Sequence, residues 1–132
     1  PGPEKFWGRW GLLTHEKFGE PQVKPRYSAF LFLNQMIGAG VYTKGEGEWV
    51  KAFSRKDGNI IRTLVVNYDV NAKHSEAVSL TFNNLPSRNF TLRRIDFMGE
   101  IKERSVATSS ASWKMVEFFD PNTASIFELI PK

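Results

Sequence analysis

The chain has 132 residues, of which 18 are basic and 14 acidic, giving a net charge of +4. It contains no cysteine, which excludes disulfides, cysteine-ligated zinc and cysteine nucleophiles. Its length suits one domain, and its hydrophobic share of 41% and aromatic share of 14% favour a packed core over disorder.

Basic and acidic residues are interspersed along the chain. The densest basic cluster, Arg93–Arg94, is too small for a nucleic-acid stripe, so no nucleic-acid partner is expected. No apolar run approaches the roughly 20 residues that cross a membrane, so no membrane partner is expected either. The N-terminus lacks the basic and apolar regions of a signal peptide, which leaves cytoplasmic and secreted locations both open.

The first predicted element is a helix that begins at Pro25 and ends at Gly38. Proline suits the first helical position, and glycine is a common helix stop. At 100° per residue, an arc of roughly 160° collects six apolar residues: Phe32, Met36, Ala29, Leu33, Ile37 and Phe30. Leu31 and Tyr27 lie opposite. An amphipathic helix that covers one sheet explains the arc; a helix held between two bodies would also explain Leu31 and Tyr27.

After residue 38, short apolar segments recur with turn signals between them. The pair Asp57-Gly58 marks a hairpin turn, and "DPNT" at 120–123 marks another. Strands are predicted at 41–43, 48–55, 60–68, 78–82, 90–97, 99–105, 113–119 and 124–130. This spacing predicts a mainly β fold: an antiparallel β-sandwich of about 7–9 strands with one N-terminal α-helix packed on it.

The strand at 90–97 has two parities. Phe90 and Leu92 share one parity, whereas Ile95 and Phe97 share the other. A bulge near Arg93–Arg94 would place all four apolar residues on one face. The pattern therefore predicts a bulge there.

Sequence patterns for catalysis and metal binding are weak. His15 and His74 lie in separate polar segments without a third nitrogen or thiol ligand, so no metal site is predicted. Nucleotide and hydrolase motifs are missing, and no cofactor is expected. Most carboxylates sit in polar turns or on solvated strand faces, so no catalytic residue is assigned. Asp96, between two apolar residues, is expected to accept backbone N–H groups of the next turn.

Tryptophans are the remaining candidates for binding. Trp49 is the best sugar-stacking candidate, because it follows a glycine-rich loop and shares strand parity with Lys51. Trp7 and Trp10 are weaker candidates for the same role. A tryptophan in a compact domain is more often part of a core or an interface, so both interpretations stay open.

One long segment, "WGRWGLLTHEKFGEPQVKPRYSAFLFLNQM", resembles the clan A glycoside hydrolases, and most of all family 39, the β-xylosidases and their relatives. The matching positions are Gly11-Leu12-Leu13-Thr14, Gly19, Lys24-Pro25, Tyr27, Ala29-Phe30 and Leu33-Asn34. Three later segments are similar to the accessory β-domain of these enzymes: "WVKAFSRKDGNIIRTLVVNYD", "TLRRIDF" and "PNTASIFELIP".

The resemblance implies that residues 1–38 are the last β/α unit of a (β/α)₈ barrel and that 39–132 form an accessory β-sandwich. Trp10, Leu13, Tyr27 and Leu31 would then face the catalytic barrel. The two catalytic glutamates of the family lie on earlier barrel strands, so no residue here inherits their role. The resemblance thus implies a non-catalytic C-terminal accessory domain that packs on the barrel of its parent chain, with self-association through the exposed helix when it is isolated.

The alternative is a stand-alone carbohydrate-binding module that recognises xylan-type or related oligosaccharides through Trp49, Trp7 or Trp10. An independent hydrolase is disfavoured, because retaining hydrolysis needs two carboxyl groups about 5 Å apart and no such pair is evident.

Overall fold

The computed structural model describes residues 11–132. They fall into two compact units, the first reaching Gln35 and the second running from Met36 to Lys132. In the first unit, an isolated antiparallel bridge joins Leu13 to Val23. A 3₁₀ turn, Glu16–Phe18, and one α-helix, α1 (Pro25–Leu33), complete its described part.

Helix α1 begins as predicted but ends earlier than predicted. Pro25 occupies its first turn, and Asn34 caps its C-terminus. The amide of Asn34 donates to Phe30 O, and that of Gln35 donates to Phe32 O in a tighter three-residue closure. The prediction that the helix continues to Gly38 was therefore wrong.

The apolar arc predicted for this helix is only partly buried. Phe32 and Met36 are buried, whereas Phe30 and Leu33 are 60% and 47% exposed. Leu31, which the pattern placed on the opposite side, is 54% exposed. The first unit thus presents apolar side chains on more than one side of the helix.

Eight strands form the described part of the second unit, and this confirms the predicted mainly β fold. Their bounds are β1 (Ala39–Val41), β2 (Val50–Asp57), β3 (Ile60–Asn67), β4 (Glu76–Phe82), β5 (Asn89–Asp96), β6 (Ile101–Ala107), β7 (Trp113–Phe119) and β8 (Thr123–Pro131). Six strands form one antiparallel sheet in the order β1-β2-β3-β8-β5-β6, and β4 pairs with β7 in a second sheet. The arrangement is a β-sandwich with sheets of unequal width.

The hydrophobic core lies between these two sheets. Alternate residues of β3, β5 and β8 point inward, as the two-residue period of a strand requires. Phe127 of β8 and Phe119 of β7 meet edge to face, with ring centroids 6.1 Å apart. The other buried members of this cluster are Val65, Phe82, Leu85, Phe90, Leu92, Met115 and Leu129.

The predicted bulge in β5 is wrong. The strand pairs without interruption with β8, from Phe90 opposite Pro131 to Asp96 opposite Ser125. Its parity changes because both faces of the large sheet bury apolar residues: Phe90 faces the core, and Ile95 lies buried on the opposite face. A strand that is buried on both sides carries no single apolar parity.

Candidate functional site

Trp49 lies immediately before β2 and is half-buried. Its carbonyl accepts the amide of Tyr68 at 2.9 Å, which continues the pairing of β2 with β3. The indole stacks on the imidazole of His74, with ring centroids 4.5 Å apart and planes 7° apart. One face of the best predicted sugar platform is thus covered by a histidine ring.

Asp69 holds that histidine in place. Its Oδ2 lies 2.8 Å from His74 Nδ1. The Asp69 side chain has no exposed surface, whereas that of His74 is 48% exposed. The pair therefore has a buried anchor and a solvent-facing ring, which presents its flat side to Trp49.

The Asp69 carboxylate also organises the loop that follows β3. It accepts the backbone amides of Asn71 at 2.9 Å, Lys73 at 2.7 Å and His74 at 3.1 Å. Burial alone would raise the pKa of Asp69, but the hydrogen bonds from Lys73, Asn71 and His74 outweigh it and lower that pKa to about 2. Asp69 is therefore an ionised structural acceptor at neutral pH.

Two asparagines attach this loop to the neighbouring turn. Asn67 is fully buried. Its side-chain Nδ2 donates to His74 O at 2.8 Å, Asp120 O at 3.2 Å and Phe119 O at 3.3 Å. The amide of Asp69 donates to Asn122 Oδ1 at 3.1 Å. These contacts join the end of β3 to the turn between β7 and β8.

An aspartate that orients a histidine also occurs in nucleophilic hydrolases, where the second ring nitrogen activates a hydroxyl. Within residues 11–132, no hydroxyl is hydrogen-bonded to the His74 ring. That ring instead packs against Trp49. These contacts hold the loop after β3 against the start of β2, and we call the four residues that make them the Trp49 cluster: Trp49, His74, Asp69 and Asn67.

Neither sequence pattern nor spacing brought these residues together. Trp49 and His74 stand in separate segments of the sequence, and no motif marks Asp69. The available signal was the position of Asp69 two residues after an asparagine that ends an apolar strand. An aspartate directly after a strand often accepts the amides of the turn that follows.

Asp96 makes different bonds from those predicted. Its Oδ1 accepts Ser125 Oγ at 2.5 Å and Arg94 Nε at 2.8 Å, so side chains rather than turn amides satisfy it. Burial would raise the pKa of Asp96, but the hydrogen bonds from Ser125 and Arg94 and the positive charge of Arg94 lower it. Arg94 Nη1 also contacts Glu117 Oε2 at 2.7 Å across the core.

Glu128 is buried on the face of the large sheet that points away from the core. Its two carboxylate oxygens contact Arg62 Nε at 2.6 Å and Arg93 Nη1 at 2.8 Å. Arg93 Nε lies 2.7 Å from the more exposed Glu103. Arg93 and Arg94, the densest basic pair in the sequence, thus point to opposite faces and are both ion-paired.

Metal-binding groups of three or more histidine or acidic side chains do not occur within residues 11–132. In the same range, no helix has the length and apolar character needed to cross a membrane.

The residues predicted to face a barrel lie in the first unit. Leu13 and Leu31 are 50% and 54% exposed, and Tyr27 is half-buried. Trp7 and Trp10 fall outside the described residues. Further exposed apolar side chains of this unit are Leu12, Val23, Phe30 and Leu33. The described part of the first unit thus leaves several large apolar side chains exposed.

Comparison with solved structures shows where this fold occurs. The chain is similar to a GH39 enzyme from Xanthomonas axonopodis pv. citri (TM-score 0.63, 12% identity), covering 83% of this chain and 31% of that one. It is also similar to a glucosidase from Croceicoccus marinus (0.62, 12% identity; 82% and 32% covered) and to a GH51 alpha-L-arabinofuranosidase from Thermotoga petrophila (0.56, 14% identity; 89% and 31% covered).

At these identities the similarity shows the fold alone. The chain spans about three-tenths of the length of each of these solved chains. No protein-family model matches the sequence, and no curated protein matches it.

Proposed function

We propose that this chain is a non-catalytic accessory domain of a glycoside hydrolase and that it packs on the (β/α)₈ barrel of its parent polypeptide. The observation that carries the proposal is the apolar surface of the first unit. Leu13, Phe30 and Leu31 are each at least half exposed, although they lie in a segment of only 25 described residues. The exposed apolar side chains of the first unit are together called the apolar surface below: Leu12, Leu13, Val23, Phe30, Leu31 and Leu33.

The fold neighbours support the same assignment. Three glycoside hydrolases contain this sandwich as part of a chain about three times as long. The motif "GLLT" and the helix that follows resemble the last β/α unit of family 39 enzymes, so a β-xylosidase-like parent is the finer form of the proposal.

Three carboxylates of the second unit support a structural role. A glycosidase needs a general acid with a raised pKa. The pKa values of Asp69 and Asp96 are instead lowered, by hydrogen bonds from backbone amides in the first case and from Ser125 and Arg94 in the second. Glu128 is held between two arginines. Each of these carboxylates is occupied by hydrogen bonds or ion pairs that stabilise the fold.

Leu31→Asp in the longer parent chain tests the proposal. A buried aspartate at a barrel contact would be costly, so we expect a loss of thermal stability of the parent enzyme of several degrees. Val70→Asp is the matched control, because Val70 is 75% exposed in a loop of the second unit. Equal melting temperatures of the two parent variants would contradict the barrel contact.

The carbohydrate-binding alternative predicts a different result. Titration of the 132-residue chain with xylo-oligosaccharides should leave its tryptophan fluorescence unchanged if the chain is an accessory domain. A saturable change that is lost in Trp49→Ala would favour the alternative.

Self-association is a further consequence of the exposed apolar surface. An isolated chain with this apolar surface should form dimers as its concentration rises. Light scattering on the wild type and Leu31→Asp measures the effect, and a wild-type monomer at high concentration would contradict it.

A further inference from the structure

A groove of about 620 Å³ opens on one side of the sandwich, entirely within the second unit. One wall is β4 and the residues just after it, one wall is the loop at 41–46, and the floor is formed by β2 and β3. The floor residues are Val50, Ala52, Ser54, Ile61 and Thr63.

The β4 wall of this groove is a free strand edge. β4 pairs with β7 on one side and with no other strand in the described part of the chain. Every residue from Val78 to Asn84 lines the groove, so the backbone edge borders it rather than one row of side chains. Such an edge presents N–H and C=O groups that can pair with another strand.

The floor is incompletely covered for a sandwich interior. Val50, Ala52 and Ile61 point to the same side as the core and pack against it, yet each remains only half-buried. The large sheet has six strands and the small sheet two, so the large sheet continues past the β4 edge. One more strand beside β4 would cover these side chains.

We infer that the groove receives one extended strand that pairs with the free edge of β4 and comes from a part of the parent polypeptide outside these 132 residues. This inference rests on the proposed function, because it requires a longer chain. The similar solved chains are about three times as long, which leaves ample polypeptide to supply the strand.

The groove volume corresponds to one short strand segment. Strands lie about 4.8 Å apart, sheets about 10 Å apart, and each residue advances about 3.4 Å, so a volume of this size holds about four strand residues. A second folded copy fits less well, because a groove of about 620 Å³ has room for one short strand and not for the edge of a second sandwich. The strand would place apolar side chains toward Ala52 and Ile61.

Amide hydrogen exchange tests this inference in the 132-residue chain and in the parent enzyme. Amides of β4 that point away from β7 should exchange at least about 100-fold more slowly in the parent, because a paired strand edge is protected. The outer edge of β6 is the internal control and should exchange equally in both proteins.

Two matched variants of the parent complete the test. Ala52→Trp fills the groove floor and should return β4 exchange to the rate of the isolated chain. Phe53→Trp, on the opposite face of the same strand, should leave the protection intact. Equal β4 exchange in the parent and the isolated chain would overturn the strand but not the accessory-domain proposal. A gene that encodes only these 132 residues would overturn both.

Discussion

His74 lies flat against the indole of Trp49, with its ring plane only 7° from the indole plane, while its Nδ1 contacts the buried carboxylate of Asp69. The histidine thus links a buried anion to a half-buried aromatic ring. Because Trp49 precedes β2 and His74 follows β3, this stack closes one end of the β2–β3 hairpin. We therefore interpret the Trp49 cluster as a structural clamp.

The stack should contribute a measurable coupling energy. In a double-mutant cycle of Trp49→Ala and His74→Ala, the coupling free energy should be about 1 kcal/mol, as for other aromatic pairs. Urea denaturation of the four proteins measures it. Additive effects of the two substitutions would show that the rings merely lie side by side.

Acid should remove the contribution of Asp69. Its pKa is about 2 in the folded chain, against roughly 3.9 for an unfolded aspartate. Between these values the unfolded chain binds more protons, so stability falls as the pH drops from about 5 toward 2. The stability difference between wild type and Asp69→Asn should therefore be largest above pH 5 and shrink toward pH 2.

Urea denaturation at several pH values from 2 to 6 measures this difference. Asp96 also has a lowered pKa and contributes acid sensitivity to both proteins, so the comparison isolates Asp69. A constant difference across this range would refute the assigned role of its carboxylate.

Strand positions were predictable because their signals are local. β7 occupies 113–119 as predicted, and Gly58, with a φ of +56°, lies in the turn predicted at Asp57-Gly58. Strand parity and turn chemistry need no knowledge of distant residues. The fold class followed from these segments and their spacing.

Features that depend on residues distant in the sequence were not predictable in the same way. The smooth course of β5 depends on burial of Ile95 on the second face of the sheet, where Ile126 lies beside it. The partnership of Trp49 with His74 depends on the pairing of β2 with β3 and on a loop ordered by Asp69. Pattern analysis considers each segment alone and misses both.

Removal of the Glu128 charge should be costly. Glu128→Gln leaves two cationic neighbours, Arg62 and Arg93, without their shared carboxylate in a site where the acid is 8% exposed. Loss of one member of a buried ion pair costs about 3 kcal/mol. Denaturant unfolding measures the loss in free energy of unfolding.

Glu103→Gln is the control for this site. Glu103 contacts the same Arg93, but its side chain is 55% exposed, so its loss should cost less than about 1 kcal/mol. Similar losses for the two variants would contradict the central position of Glu128 in the ion-pair network.

Two phenylalanines allow a comparison of the core with the outer surface of the small sheet. Phe127 is fully buried, whereas Phe118, next to the buried Phe119, is 75% exposed. Phe127→Ala should reduce the free energy of unfolding by about 4 kcal/mol, and Phe118→Ala should change it by less than about 0.5 kcal/mol. A large loss for Phe118→Ala would show that its face is covered, for instance by a second copy.

Gly38 should tolerate no side chain. Its φ is +102°, and a Cβ added there would lie 2.2 Å from the carbonyl oxygen of Lys56, a backbone atom held in the β2–β3 hairpin. The carbonyl of Gly38 also accepts Arg55 Nη1 at 2.9 Å, which keeps the two segments close. Gly38→Ala should therefore destabilise the chain by more than about 1 kcal/mol.

Gly40→Ala is its matched control. Gly40 lies two residues further along, in β1, and an added Cβ would meet no atom within 4 Å. Its replacement should change the free energy of unfolding by less than about 0.5 kcal/mol. Thermal unfolding measures the melting temperature of both variants. Equal melting temperatures would show that the close approach of Gly38 to Lys56 does not exist in solution. If only Gly38→Ala melts early, glycine is required there by the contact with β2 and not as a helix stop, because α1 has already ended at Leu33.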